Sequence, residues 1–328
     1  MRSLVTGATG FIGSAVARAL ITAGHQVRVL VRPSSDLRNL KNIDVEIIEG
    51  DLVDPDSLLH TVVGMDFVFH VAADYRLWVP DPDVLYRINV TGTRSLLEAA
   101  RLADVQRVVY TSSVATLGLN PDGTPADEAT PVSLADMIGH YKRSKFLAEQ
   151  VATEAAATGQ EVVIVNPAAP VGPRDIKPTP TGQMIVDAAS GKMPAYVDSG
   201  LNIVHVDDVA HGHLLAASEG KSGRRYILGC ENMSLAKIFS AVAAMTGVRA
   251  PKLKLPVAPL LPVAYAAEAV ARITGKSPML TVDGLKLARK HMYFSNQRAI
   301  DELDFCPRPA HDALRDAVEW FSANGYLK

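Results

Sequence analysis

Six residues into the chain, three glycines fall in a G-x-x-G-x-x-G spacing: Gly7, Gly10 and Gly13. Leu4, Val5 and Thr6 before them read as a short buried strand. From Phe11 to Ala23 the apolar spacing is helical, and Gly24 ends it. Glycines let a backbone turn tightly and come close to a bound group. The free N–H groups and positive dipole of the new helix then face an anion. A dinucleotide pyrophosphate fits that description, so its site is expected at Gly7, Thr9, Gly10, Phe11, Ile12 and Gly13. A glycine triplet alone also serves as a plain turn. The strand before it and the helix after it favour the binding reading.

The rest of the chain narrows the partners. Its 328 residues, 48% hydrophobic and 21% charged, are enough for a large core in about two domains. Net charge is −2 with no basic stripe, so no nucleic acid partner is expected. Cys230 and Cys306 are too few for a disulfide framework. The first strand leaves no room for a signal peptide, and a cytoplasmic location is expected. Residues 255–273 are almost wholly apolar, but Pro256, Pro259, Pro262 and Glu268 argue against a transmembrane helix. A helix packed in the second domain is expected there. The alternative is an apolar lip for a greasy substrate or the membrane surface, which leaves peripheral membrane contact possible.

Strands are expected at 27–31, 45–48, 66–71 and 106–111, and a long helix at 84–103. With a sixth strand ending near residue 166, these alternations predict an α/β fold with a doubly wound parallel sheet. Pro167, Pro170, Pro173, Pro178 and Pro180 then break the pattern. Residues 1–168 are read as a dinucleotide-binding domain and 169–328 as a smaller α+β substrate-binding domain. In an NAD site an acid at the end of the second strand holds the ribose hydroxyls. Here Val31 and Arg32 stand there, with Ser34 and Ser35 behind. An arginine can pair with a 2′-phosphate, so NADP(H) is expected, with NAD(H) still possible. The alternative is that Arg32 is a solvated loop charge.

The chemistry centres on Tyr141-x-x-x-Lys145, two side chains on one helix face. A free phenol titrates near ~10. A neighbouring ammonium lowers that value and makes tyrosine a workable acid/base toward a carbonyl or alcohol oxygen. Ser113, or Ser112 as its alternate, would hold the same oxygen from the end of the 106–111 strand. Tyr-x-x-x-Lys also occurs by chance on surface helices. Its company, the glycine turn and Thr111-Ser112-Ser113, favours the catalytic set Ser113, Tyr141 and Lys145. The loop Asp74-Tyr75-Arg76-Leu77-Trp78 either contacts substrate or is pinned by its own aromatics. Arg174 either holds an anionic part of the substrate or forms a structural ion pair. His211 and His213 lie on different helix faces, so no metal site is expected.

Taken together, these motifs resemble the extended branch of the short-chain dehydrogenase/reductase superfamily. Asn89-Val90-Thr91-Gly92-Thr93 and His205-Val206-Asp207-Asp208-Val209-Ala210 add to the resemblance. It implies a Rossmann fold, with residues 203–229 returning to the first domain. It places Asp51 and Leu52 against the adenine, Ala72 and Ala73 under the cofactor, Lys145 on the ribose, and Pro167 and Ala168 beside the nicotinamide. It gives Asn89 a structural role supporting the active-site backbone. Leu117-Gly118 stands where sugar epimerases usually have Tyr-Gly, which points toward the dihydroflavonol-4-reductase side of the branch.

The stretches 70–78, 138–145, 172–182 and 193–198 resemble the bacterial hopanoid-associated sugar epimerase group. That resemblance implies work near the sugar-derived side chain of a hopanoid lipid. The expected activity is an NADP(H)-dependent oxidoreductase. It would move hydride between nicotinamide and a carbonyl or alcohol carbon of a sugar-derived or lipid-linked substrate, such as a ring-opened aldehyde. The alternatives are an NAD-dependent nucleotide-sugar epimerase or dehydratase, and a non-catalytic nucleotide-sensing protein. Relatives commonly dimerise through helices corresponding to 90–103 and 141–157, so a homodimer is expected. Ala148, Val151, Ala152 and Ala155 suit that interface, or face the chain's own sheet.

Overall fold

Apolar, mostly β-branched runs build β1 (Arg2–Thr6), β2 (Gln26–Val31), β3 (Glu46–Glu49), β4 (Phe67–His70), β5 (Arg107–Thr111) and β6 (Val162–Pro167). Between them run α1 (Phe11–Thr22), α2 (Pro55–Val62), α3 (Asp83–Tyr86), α4 (Gly92–Leu102) and α5 (Gly139–Ala157). The computed structural model describes residues 1–276, 278 and 280–327. The single helix expected at 84–103 is α3 and α4 joined by a π-helical turn over Arg87–Thr91. Such a widened turn re-aims the side chains it carries and is common at functional sites. Asn89 sits in it.

Past β6 the strands shorten, as the proline-rich sequence requires. In order come β7 (Ala169–Val171), α6 (Pro180–Ala189), β8 (Ala195–Val197), β9 (Gly200–His205), α7 (Val206–Ser218) and β10 (Arg225–Leu228). Then follow β11 (Glu231–Ser234), α8 (Leu235–Thr246), β12 (Leu253–Leu255), α9 (Leu261–Thr274), α10 (Val282–Leu287), β13 (His291–Met292), α11 (Gln297–Leu303) and α12 (Ala310–Ala323).

The large sheet has seven parallel strands in the order β10-β6-β5-β4-β1-β2-β3. Strand order reverses between β1 and β4, so the ligand crevice of this Rossmann fold lies outside their carboxyl ends. The glycine turn, Arg32, Asp51-Leu52, Ala72-Ala73, Ser112-Ser113 and Pro167-Ala168 each lie at or just past the carboxyl end of one of these strands, while Tyr141 and Lys145 come from α5. In the smaller sheet β9 pairs with β7 and β13 in parallel and with β11 antiparallel. Its core, with Ile185, Ile203, Phe239, Leu314 and Phe321, is closed by α6, α8 and α12. After β9 the chain re-enters the large unit, where α7 packs on α1 and β10 pairs with β6.

Two points left open by the sequence are decided here. Ala148, Val151 and Ala152 are buried in the chain's own core beside Leu96, Val108 and Ile164, with Ala155 packed against the same cluster. They therefore mark no free dimer face. Helical spacing could not separate the two possibilities, because both surfaces favour small apolar residues. The helix expected to pack within the second domain is α9, and only one of its faces does so. Ala264 and Ala271 are buried, while Val263, Tyr265, Val270 and Ile273 are exposed.

Candidate active site

The glycine turn is as tight as its spacing implies. Gly7 has φ +73°, and a Cβ there would stand 2.7 Å from the Ala72 backbone nitrogen. The two loops at the switch point, after β1 and after β4, thus touch backbone to backbone. A Cβ on Gly13 would run into the Gly7 carbonyl group. Helix α1 begins at Gly10 with no side-chain cap and no acid in its first turn. Its first N–H groups are therefore left for an anion. This cradle fits a dinucleotide pyrophosphate. Ala73 continues the loop after β4, and Phe11 and Ile12 open the helix over it. Thr9 lies in the turn itself, its carbonyl and that of Gly10 accepting from buried Asn39.

Across the crevice, the end of β5 and the start of α5 bring Ser113 and Tyr141 together, with Lys145 one turn further along α5. The Tyr141 hydroxyl is held above its usual range by burial, while a hydrogen bond with Ser113 draws it down and Tyr75 pushes it up. Of the two serines it is thus Ser113 that meets the phenol. The Ser112 hydroxyl is buried with no protein partner. Ser113 is itself fixed. Its Oγ accepts from Ala115 N–H at 3.1 Å, and its carbonyl accepts from Asn166 Nδ2 at 3.0 Å. Asn166 is held in turn by Glu149 at 2.8 Å.

Lys145 departs from expectation. Its Nζ donates to Tyr110 Oη at 2.9 Å and to the Thr111 carbonyl at 2.8 Å, and lies 4.6 Å from the centre of the Tyr110 ring. Burial lowers its pKa to about 7, opposed by Glu149. The ammonium does not pull the Tyr141 hydroxyl down here, because it faces β5 and desolvation of the phenol outweighs other effects. Beneath this pair, His70 bonds Thr6 Oγ1 at 2.8 Å and Thr93 Oγ1 at 3.0 Å. Its pKa falls to about 3 by burial, so it braces the floor as a neutral ring.

The sequence profile of the NAD dependent epimerase/dehydratase family matches residues 3–229. The chain belongs to that family. A Synechocystis sp. protein provisionally named dihydroflavonol 4-reductase is 47% identical over 99% of this chain and 95% of that one. Sterol demethylase protein B of Methylococcus capsulatus is 34% identical over 100% of both chains. A 4-hydroxy-2-methyl-3-oxo-4-farnesyl-3,4-dihydroquinoline-1-oxide ketoreductase of Stigmatella aurantiaca is 30% identical over 97% and 96%. The crystal structure of gox2253 superposes with a TM-score of 0.89 at 54% identity, covering 99% of each chain. The protein is accordingly an NAD(P)-dependent oxidoreductase of the extended short-chain dehydrogenase/reductase type.

The other residues expected at the crevice have their places here. Asp51 follows β3, its carboxylate accepting from Val53 N–H at 3.2 Å. Leu52 is buried under Gly92. Pro167 ends β6, and Ala168 N–H donates to the Leu228 carbonyl at 3.0 Å. Arg32 follows β2 and is exposed, with its backbone N–H on Ser35 Oγ at 3.1 Å. Asn89 Oδ1 accepts from Asp74 N–H at 2.8 Å, and its Nδ2 donates to Ser144 Oγ at 2.9 Å. It thereby ties the Asp74 loop to α5, and Tyr75 of that loop lies near Tyr141.

Arg174 pairs with Asp207, so it acts as a structural ion pair. His213 is buried on Thr111 Oγ1 and the Val209 carbonyl. Sequence reasoning missed Tyr110 and Asn39, whose roles come from partners far along the chain. It also missed Lys142, buried beside Tyr141 with its pKa lowered to about 8 by burial and by Lys290. Only the adjacency of Lys142 to the Tyr-x-x-x-Lys motif could have flagged it.

Proposed function

We propose that the protein is an NADP(H)-dependent carbonyl reductase acting on a substrate with a large apolar part. The meeting of Ser113 and Tyr141, with Lys145 one helical turn on, opposite an uncapped, glycine-cradled helix start carries this reading. A nicotinamide bound here would supply or accept hydride at a carbonyl or alcohol carbon. Ser113 holds the substrate oxygen, and Tyr141 exchanges the proton with it. Lys145, bound to Tyr110 and Thr111, anchors the inner side of the site and is within reach of titration near neutral pH. Gly7, Gly10 and Gly13 admit the pyrophosphate, and Arg32 selects the 2′-phosphate. Ala72, Ala73, Asp51, Leu52, Pro167 and Ala168 line the remaining cofactor path.

The substrate class is supported by the relatives' own names, which include a sterol and a farnesylated quinoline ketone. A lipid-linked sugar with a ring-opened aldehyde, as in assembly of a hopanoid side chain, is one concrete member of that class. The first test is to denature the purified protein and identify released nucleotide by mass spectrometry. NADP(H), or an empty site that then prefers NADPH, supports the reductase. Tightly held NAD⁺ would instead indicate an epimerase that recycles its cofactor. Tyr141→Phe should lower carbonyl turnover by roughly 10²-fold or more while nucleotide binding survives. Full turnover in that variant would sink the mechanism.

A further inference from the structure

Helix α9 presents an outer stripe with no polar side chain: Val263, Ala266, Val270 and Ile273, spaced i, i+3, i+7 and i+10. All four are exposed, Ile273 at 87% and Val270 at 59%. Tyr265 and Ala269 widen the stripe. The helix is about 21 Å long, and Arg272 is the one charge on its outer side. Its only acid, Glu268, turns inward, where Oε1 accepts from Val282 N–H at 2.8 Å and caps the start of α10. An outward face on a water-facing helix ordinarily carries the charge and buries the apolar residues. Here the outward face is apolar as well as the buried one.

The flanks carry charge of one sign. Residues 249–290 hold eight lysines and arginines against two acids, Glu268 and Asp283, in a chain whose net charge is −2. Lys252, Arg272 and Lys276 are exposed close to the helix in sequence, and among the described residues none has an ion-pair partner. An apolar stripe with a basic rim matches the surface of an anionic bilayer: acyl chains take the stripe and phosphates take the rim. The cap is also coupled to the catalytic helix. A Cβ at Gly139, the first residue of α5, would stand 2.6 Å from Asp283 Oδ2 of α10. Tyr141 is two residues further on.

We infer that the outer face of α9 seats the protein on an anionic lipid bilayer, with the active-site end of α5 beside the membrane surface. Such seating would let a substrate with a long apolar part reach Tyr141 without crossing water.

The test is co-sedimentation of the full chain with vesicles of phosphatidylcholine alone or mixed with phosphatidylglycerol. It needs no turnover, so its outcome is independent of the reductase reading. Binding to the mixed vesicles is expected, falling at least about tenfold in V270E/I273E and severalfold in K252A/K276A. Both variants change exposed positions, and their melting temperatures should stay within a degree or two of the parent. The parent remaining in the supernatant with both vesicle types would overturn the inference. So would V270E/I273E breaking an oligomer, by light scattering, while leaving vesicle binding unchanged, because the stripe would then be a contact between protein chains.

Discussion

Gly13 and Gly24 offer a controlled comparison of two ways an added methyl can hurt. At Gly13 a Cβ would lie 2.6 Å from the Gly7 carbonyl carbon and 2.9 Å from Ala8 N, in addition to meeting the Gly7 oxygen. Real Cβ atoms essentially never come within 3.0 Å of such atoms, so backbone must move. Neither partner is a flexible side chain, and the cost should be about 2–3 kcal/mol of stability. The movement separates α1 from the turn it grows out of, which misaims the N–H groups meant for the pyrophosphate. Losing one charge-assisted hydrogen bond is worth about 1.5–3 kcal/mol, or roughly 10–100-fold in affinity. At Gly24 the backbone has φ +81° but nothing lies within 4 Å, so Gly24→Ala carries conformational strain of about 1 kcal/mol and no clash. Calorimetric titration with NADPH, alongside thermal melts, reads both effects. Gly13→Ala should lose stability and nucleotide affinity together, and Gly24→Ala only a little stability. Parental NADPH affinity in Gly13→Ala would refute the assignment of the turn.

Other expectations follow from the same geometry. Arg32→Ala should weaken NADPH at least about tenfold and leave NADH nearly unchanged, as measured by competitive titration; equal losses would remove the 2′-phosphate role. Burial holds Lys145 at about 7, below the ~10.4 of a free lysine. The unfolded chain therefore binds a proton that the folded chain does not, and this residue's contribution improves as pH rises from about 7 to about 10. Lys145→Met removes that dependence, so its melting temperature relative to the parent should rise as pH falls from about 10 to about 7 and level off below. A pH-independent gap would contradict the buried setting. Asn89→Ala leaves Asp74 N–H without its acceptor and should cost about 1–3 kcal/mol in chemical denaturation. It should also lower turnover by loosening the Tyr75 loop, whereas a stability loss with full turnover would show that the loop does not serve the site.

The parts legible in the sequence were those whose signal is local. Strand, turn and helix around Gly7 to Gly24 follow from apolar period and glycine spacing, and so does the break at the prolines after β6. The π-helical turn at Asn89 was not legible, because its residues suit an ordinary helix and the extra residue is accommodated by contacts with Asp74 and Ser144. The apolar composition of 255–273 was plain, but which side of α9 would be covered depended on Val282 and Leu285 of α10, which pack beneath its inner face.

By itself the sequence determined the α/β order, the tight glycine turn and the shared helix face of Tyr141 and Lys145, since backbone sterics and helical period act over a few residues. Only the tertiary structure decided that Ser113 rather than Ser112 meets Tyr141. It also turned Lys145 toward Tyr110, paired Arg174 with Asp207, and left the outer face of α9 exposed. Each of these is a choice of neighbour made between segments tens of residues apart. Packing and desolvation settle such choices, and no periodicity along the chain encodes them.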